Sequence, residues 1–243
     1  MNNSYCIEAW GDFACFSRPE SKVERFSYPA PTPSASRAIF DAIYWKKTFR
    51  WNITRIVMIS PPRYIALRRN EVKEKAPSER TITQWMKGSG DFDPIIADGD
   101  RDMLGSDSKG RTQRQTMALK DVRYLIYADP RPWPGSEGEM PAIRSQFERR
   151  ASQGKCVYQP YFGCREFPAF FRLVIKDETA PAPYSFSADI GWMVYDVFDL
   201  SRPGTDTSPP HISLFHAEVK NGVLEIPAYE SADVKKPSRG GAS

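Results

Sequence analysis

Two segments with helical apolar spacing, set among short runs rich in β-branched and aromatic residues, predict an α+β fold in which helices cover one face of an antiparallel sheet. The first helical segment lies within PTPSASRAIFDAIYWKKTFRW, residues 31–51, and the second within MPAIRSQFERRASQG, residues 140–154. A third observation is that the last hundred residues are mostly strand-like runs separated by turn residues. A chain of 243 residues is long enough to bury a sizeable core beneath such a sheet.

Residues 5–16 place Ile7, Ala9 and Phe13 among alternating polar residues and predict a first strand, followed by the polar loop SRPESKVERFSYPAP. The helix after it starts cleanly. Thr32 is a suitable N-cap, and Pro33 stands at the first helical position, where a missing N–H costs nothing. Ala35, Ala38, Ile39, Ala42 and Ile43 form one apolar stripe, the buried face. At about 100° per residue, Arg37, Phe40 and Tyr44 fall on roughly the opposite side, with Lys47 on its flank. Lys46, Lys47 and Arg50 complement the helix dipole. The aromatics have two explanations: a second layer of the same protein packs over them, or they form a surface that stacks bases while the cations neutralise phosphate.

Residues 51–60 (WNITRIVMIS) and 64–73 predict two further strands, divided by Pro61-Pro62. Residues 76–113 are polar, rich in Gly and Asp and poorly periodic, and read as an inserted loop. A strand resumes near residues 116–128, and a Pro/Gly-rich linker follows. The second helix has Pro141 near its start, Ile143, Phe147 and Ala151 at fourfold spacing, and Gly154 as its stop. CVYQPYFG, FFRLVI, ADIGWMVYDVFDL and HISLFHAEV are strand-like, and Asn221-Gly222 predicts a tight hairpin before VLEIPAY. This order suits a ferredoxin-like (RRM-like) βαββαβ domain over residues 1–175, carrying the insertion near 76–113. A C-terminal antiparallel β-sheet extension over 176–230 and a disordered tail over 231–243 complete the expected organisation.

Charge is unevenly placed. The net charge is only +4, but residues 37–75 carry ten cations against three carboxylates. Residues 91–107 reverse this, with six aspartates against Arg101. A basic block favours a polyanionic partner, and an acidic loop avoids one. No run of about 18 apolar residues exists, and MNNSYCIEAWG lacks a basic and then apolar leader, so a cytoplasmic protein without membrane contact is expected. Cys6, Cys15, Cys156 and Cys164 contain no C-x-x-C pair and are expected to be reduced and structural. In particular, Cys164 in FGCREF has no nearby histidine and is read as a buried thiol rather than a nucleophile. His211 and His216, five apart, fall on opposite faces of a strand and offer little to a metal centre; no cofactor is expected. Trp10, Trp45 and Trp192 are core candidates.

The segment GDFACFSRPESKVERFSYPAPTPSASRAIFDAIYWK, together with LKDVRYLIYA and YQPYFGCREFPAFF, resembles the Cas5d (Dvulg-type, subtype I-C) branch of the CRISPR-associated RAMP proteins. The match runs from about Tyr5 to His216 and is weakest over the acidic loop and the tail. The resemblance implies a ferredoxin-like domain with a β-rich extension. It further implies metal-independent cleavage of precursor CRISPR RNA at the base of each repeat hairpin, after which the protein stays on the 5′ handle as a subunit of the interference complex. A tyrosine at the end of the first helix and a lysine on a later strand are implicated in catalysis in that family; they match Tyr44 in AIYWK and Lys120 in LKDVRY. Some relatives place a histidine directly after this lysine, where this chain has Asp121.

Metal-free RNA cleavage uses the 2′-OH as internal nucleophile, so the protein supplies proton transfer and charge stabilisation. Lys120 suits stabilisation of the phosphorane. Tyr44 orients the 2′-OH first and acts as base second, because a phenol of reference pKa about 10 needs nearby cations to ionise. Asp121 is the third catalytic candidate: with reference pKa near 4 it is a less suitable proton relay at neutral pH than histidine, and the alternatives are that it orients Lys120 or faces the core without a chemical role. Candidate RNA contacts are Arg18, Lys22 and Arg25 after the first strand, Arg37 and Lys47 on the helix, and Arg50 and Arg123. The rival reading is a non-catalytic subunit that caps the 5′ handle, with general basic-patch binding to duplex nucleic acid, DNA included, compatible with either.

Overall fold

The structure, a computed structural model, describes residues 4–21, 23–92, 95, 109–175, 180–205 and 208–237. It divides into two compact units, Met1–Ile65 with Met117–Ser243, and Ala66–Thr116.

Among the described residues the strands are β1 (Tyr5–Ala14), β2 (Arg25–Phe26), β3 (Phe49–Met58), β4 (Arg63–Val72), β5 (Arg111–Pro132), β6 (Phe170–Leu173), β7 (Ala188–Asp196), β8 (Ser213–Lys220), β9 (Val223–Glu225) and β10 (Val234–Lys235). In the larger unit the sheet runs β10-β8-β9-β3-β5-β1-β6, with β7 paired to β8 and β2 to β5. The C-terminal strands therefore extend this sheet through β9 and β3. Val234 is buried and β10 pairs with β8, so residues 231–237 are not the disordered tail expected. Asn221 and Gly222 form the predicted hairpin turn between Lys220 and Val223, with φ of 49° and 78°.

Helix α1 (Pro33–Ile43) begins as its residues dictate: the Thr32 hydroxyl accepts the Ala35 N–H at 3.1 Å, and Pro33 follows it. Its end is set by Tyr44, whose backbone turns extended while its N–H still donates to the Phe40 carbonyl. The core under α1 is aromatic. Phe40 is fully buried, 5.0 Å from the Trp51 ring of β3 and 5.6 Å from Phe147. Phe147 belongs to the Met140–Ser152 helix, which buries Ile143, Phe147 and Ala151 at the predicted spacing.

The smaller unit holds the outer parts of β4 and β5, joined by Arg114–Glu71 at 3.1 Å and by the Lys73 N–H donating to the Gly110 carbonyl. It also contains an eight-residue helix, Glu79–Met86, capped by Ser78, inside the stretch expected to be loop. This helix buries no residue, although Ile82, Trp85 and Met86 share one side of it at i, i+3, i+4 spacing. In chain order the α-helices among the described residues are α1, α2 (Glu79–Met86) and α3 (Met140–Ser152). Among the described residues no helix is long and apolar enough to cross a membrane.

Candidate nucleic-acid interface

Alternation along β1 sends Ile7 and Ala9 into the core and turns Glu8, Trp10 and Asp12 to the other face. The register then builds rows across three strands. Trp10 stands opposite Arg123 of β5 and Phe170 of β6; Glu8 stands opposite Leu125 and Arg172. Trp10 and Phe170 are 37% and 51% exposed, their rings stacked 6.3 Å apart at 28°. Glu8, only 1% exposed, pairs with the Arg123 Nε and with Arg172 at 2.6 Å. Two guanidiniums satisfy one buried carboxylate, and the carboxylate in turn fixes both cationic heads. A cavity of about 440 Å³ opens here, lined by Glu8, Trp10, Asp12, Ser60, Asp121 and Arg123 among others.

Two positions from Arg123 on β5, Asp121 adopts φ 53°, and Lys120 and Asp121 are both exposed. Asp121 pairs with Arg63 at 3.4 Å. At this same end β2 pairs with β5, and Arg25 reaches the Cys164 sulfur at 3.1 Å and Glu166 at 3.8 Å. Cys164 is buried as expected, in a turn that only Gly163 permits: with φ 80°, a Cβ there would lie 2.0 Å from the Cys15 carbonyl. The Arg18 guanidinium lies 4.6 Å over the Tyr28 ring. Arg18, Arg25, Lys120, Asp121 and Arg123 are thus grouped at one end of the sheet; Lys22 lies outside the described residues.

The α1 residues are elsewhere, and several readings of them need correction. Phe40 and Arg37 do not face outward, because β7 and α3 form the second layer over that side of the helix. Arg37 is held by Asp196 at 2.9 Å and Asp41 at 2.7 Å, and Asp196 is itself 1% exposed. Burial, and then the neighbouring Asp196 carboxylate, push Asp41 up to about 6 against the pull of Arg37. Arg50 pairs with Glu230 at 2.8 Å and lies against Trp133 and Tyr229. Lys47 remains exposed. Tyr44 is half-buried, its ring 6.0 Å from Phe49, whose partner in β5 is Pro132, whereas Lys120 pairs with Phe13. At about 3.3 Å per strand residue these positions are on the order of 30–40 Å apart, so Tyr44 and Lys120 do not meet at one phosphate. Trp10, Trp45 and Trp192 are exposed rather than core; His216 packs edge-on against Trp192 and faces Asp189 at 3.4 Å.

The model of a family described as CRISPR-associated protein (Cas_Cas5), in its Cas5d form, matches residues 4–227. The chain belongs to the Cas5d family. It is 39% identical to the CRISPR pre-crRNA endoribonuclease Cas5d of Mannheimia succiniciproducens, over 97% of this chain and 100% of that protein. Identity to the protein of the same description from Thermus thermophilus is 35%, over 97% and 96%. A crystal structure titled as a CRISPR-associated protein shares the fold, with TM-score 0.61, 20% identity and 96% of both chains covered. A functionally uncharacterized protein of Streptococcus mutans does so at TM-score 0.58, 19% identity and the same coverage.

In this Cas5d chain, sequence reasoning missed Trp10, Phe170 and Arg172, and with them the buried Glu8 that organises the two arginines. A usable signal was present. Trp10 sits in phase with Glu8 and Asp12, on the polar side of β1's period-two pattern, and not with Ile7 and Ala9. Arg172 left no such signal, because its pairing with Glu8 joins residues far apart in the chain.

Proposed function

We propose that this Cas5d chain is an endoribonuclease that cuts CRISPR repeat RNA near the base of its hairpin and stays on the 5′ handle as an interference-complex subunit. The observation that carries this is near full-length identity of 39% and 35% to two proteins described as pre-crRNA endoribonucleases. The strand order β3-β5-β1-β6, with α1 and α3 as crossovers, supports reading the larger unit as a ferredoxin-like βαββαβ domain widened by the C-terminal strands.

Chemistry follows from the grouped cations. RNA brings its own nucleophile, the 2′-OH, and the protein's part is to hold the phosphate in line and stabilise charge on the phosphorane. Lys120 is the group assigned to that charge. It projects from β5 beside Asp121, whose carboxylate holds Arg63, with Arg25 and Arg18 at the same end of the sheet. Asp121 acts as a positioning residue, bound to Arg63 rather than carrying protons. Tyr44, half-buried at the opposite end beside Lys46 and Lys47, is assigned no step at this phosphate.

Incubating the protein with its cognate repeat RNA in EDTA tests this directly. One cut leaving a 2′,3′-cyclic phosphate, absent with a 2′-deoxy substrate, is the expected result; Lys120→Ala abolishes it and Tyr44→Phe leaves it within a few-fold. Loss in Tyr44→Phe with Lys120→Ala intact moves the chemistry to the α1 end. Tight binding of uncut RNA makes the protein a handle-capping subunit, a reading favoured by the separation of Tyr44 from Lys120.

A further inference from the structure

We propose that the β1–β5–β6 face binds one unpaired RNA nucleotide, its base stacked on Trp10 and a flanking phosphate held by Arg123. The proposal rests on the pre-crRNA reading above and adds a specificity site to it, separate from Lys120.

Three observations converge. The first is that two large aromatics, in register on neighbouring strands, are left partly exposed with their rings nearly parallel, 28° apart. Cross-strand packing alone stabilises such a pair, but a core-facing arrangement would also have removed both rings from water. A π-face beside cations is what an unpaired base seeks. The second is the buried Glu8. Placing a carboxylate out of water is costly unless it is paired, and here one of its partners, Arg123, keeps 49% of its side chain exposed. Glu8 thereby presets the Arg123 guanidinium beside Trp10, and a preset fork suits phosphate.

The third is the cavity. Its volume of about 440 Å³ falls in the range of small-ligand sites, and its lining holds charges of both signs. Arg123 stands opposite Trp10, and the Asp12 and Asp121 carboxylates lie two positions further along β1 and β5. Carboxylates repel phosphate but accept hydrogen bonds from exocyclic amino groups. The phosphate therefore lies toward Arg123 and the base edge toward Asp12, which accepts a hydrogen bond from the exocyclic amino group of adenine, guanine or cytosine. The Ser60 hydroxyl, accepting the Arg123 backbone N–H at 2.9 Å, closes the cavity's rim against β5.

The test is a coupling measurement with repeat RNA made uncleavable by a 2′-deoxy group at the scissile nucleotide. Abasic sites are placed singly at each unpaired position, and Kd is measured for wild type, Trp10→Ala and Trp10→Phe. At one position the abasic site is expected to weaken wild type by roughly 5- to 150-fold, the range of base–aromatic stacking, and to leave Trp10→Ala unchanged. Trp10→Phe, which keeps a stacking ring, retains affinity within about threefold and shows that the fold is intact. At that position a base without its amino group, inosine for guanosine or purine riboside for adenosine, weakens wild type but not Asp12→Ala. Additive penalties for Trp10→Ala at every position overturn the proposal, even when unmodified RNA is bound and cut. Failure of wild type to bind repeat RNA at all overturns the pre-crRNA reading instead.

Discussion

On α1, Arg37 meets two carboxylates inside the fold, Asp41 at 2.7 Å and Asp196 at 2.9 Å; on β5, Arg123 meets one, Glu8, which it shares with Arg172. The neighbouring aromatics differ in the same sense. Phe40 is wedged between Trp51 and Phe147, while Trp10 and Phe170 stack on each other with ring surface left open. Both regions combine arginine with aromatic side chains, and in the sequence the helix is the more conspicuous of the two. What separates them is whether the fold has already supplied an opposite charge and a covering layer. A guanidinium saturated by internal carboxylates holds elements together; one that keeps about half of its side chain exposed, as Arg123 does, is available to an external anion.

That contrast can be broken at several points. The largest effect belongs to Phe40→Ala, which is expected to lower unfolding free energy by about 3–5 kcal/mol in denaturant titration. RNA affinity of the fraction still folded should not change. Arg37→Ala comes next. It leaves Asp41 and Asp196 facing each other without their cation and should destabilise by about 3 kcal/mol, again with no change in the salt dependence of RNA binding. If that salt slope drops in Arg37→Ala, the helix face contacts RNA after all.

Arg123→Ala should show the reverse pattern. Glu8 retains Arg172, so the melting temperature moves little, while RNA affinity falls and the slope of log K against log salt decreases by roughly 0.7–0.9, one phosphate contact. The smallest expected effect is a slope in stability. Asp41 sits at about 6 when folded, above the usual carboxylate value near 4, so the folded state binds the additional proton between these values. Its stabilising contribution is full below about pH 4 and is lost as pH rises through about 6. Asp41→Asn should flatten that segment of the wild-type stability curve; an unchanged curve would mean that Asp41 ionises as an ordinary carboxylate.

Local elements were well marked in the residues. The Thr32 cap, the fourfold spacing of Ile143, Phe147 and Ala151, and the Asn221-Gly222 turn each depend on neighbours a few positions away, and each formed as read. The candidate site was legible only in part. Arg123 and Lys120 were named from the LKDVRY motif, but Tyr44 was joined to them by motif co-occurrence, which carries no distance; Lys120 is in the middle of β5, whereas Tyr44 packs on Phe49, which pairs with Pro132 at the end of that strand. Trp10 was assigned to the core on its residue type although its phase in β1 placed it with Glu8 and Asp12.

The amino-acid sequence by itself determined the α+β class, the caps and turns, the basic block and, through its motifs, the Cas5d relationship, because all of these rest on short-range spacing or on strings of residues that can be read directly. Tertiary structure decided which cations are engaged and which are presented. Asp196 reaches Arg37, Glu230 reaches Arg50, and Arg172 joins Arg123 on Glu8, all across more than a hundred residues of chain. Coulomb attraction and burial act over ångströms of space and not over positions in sequence, so the partner that silences or displays an arginine exists only once the sheet has assembled.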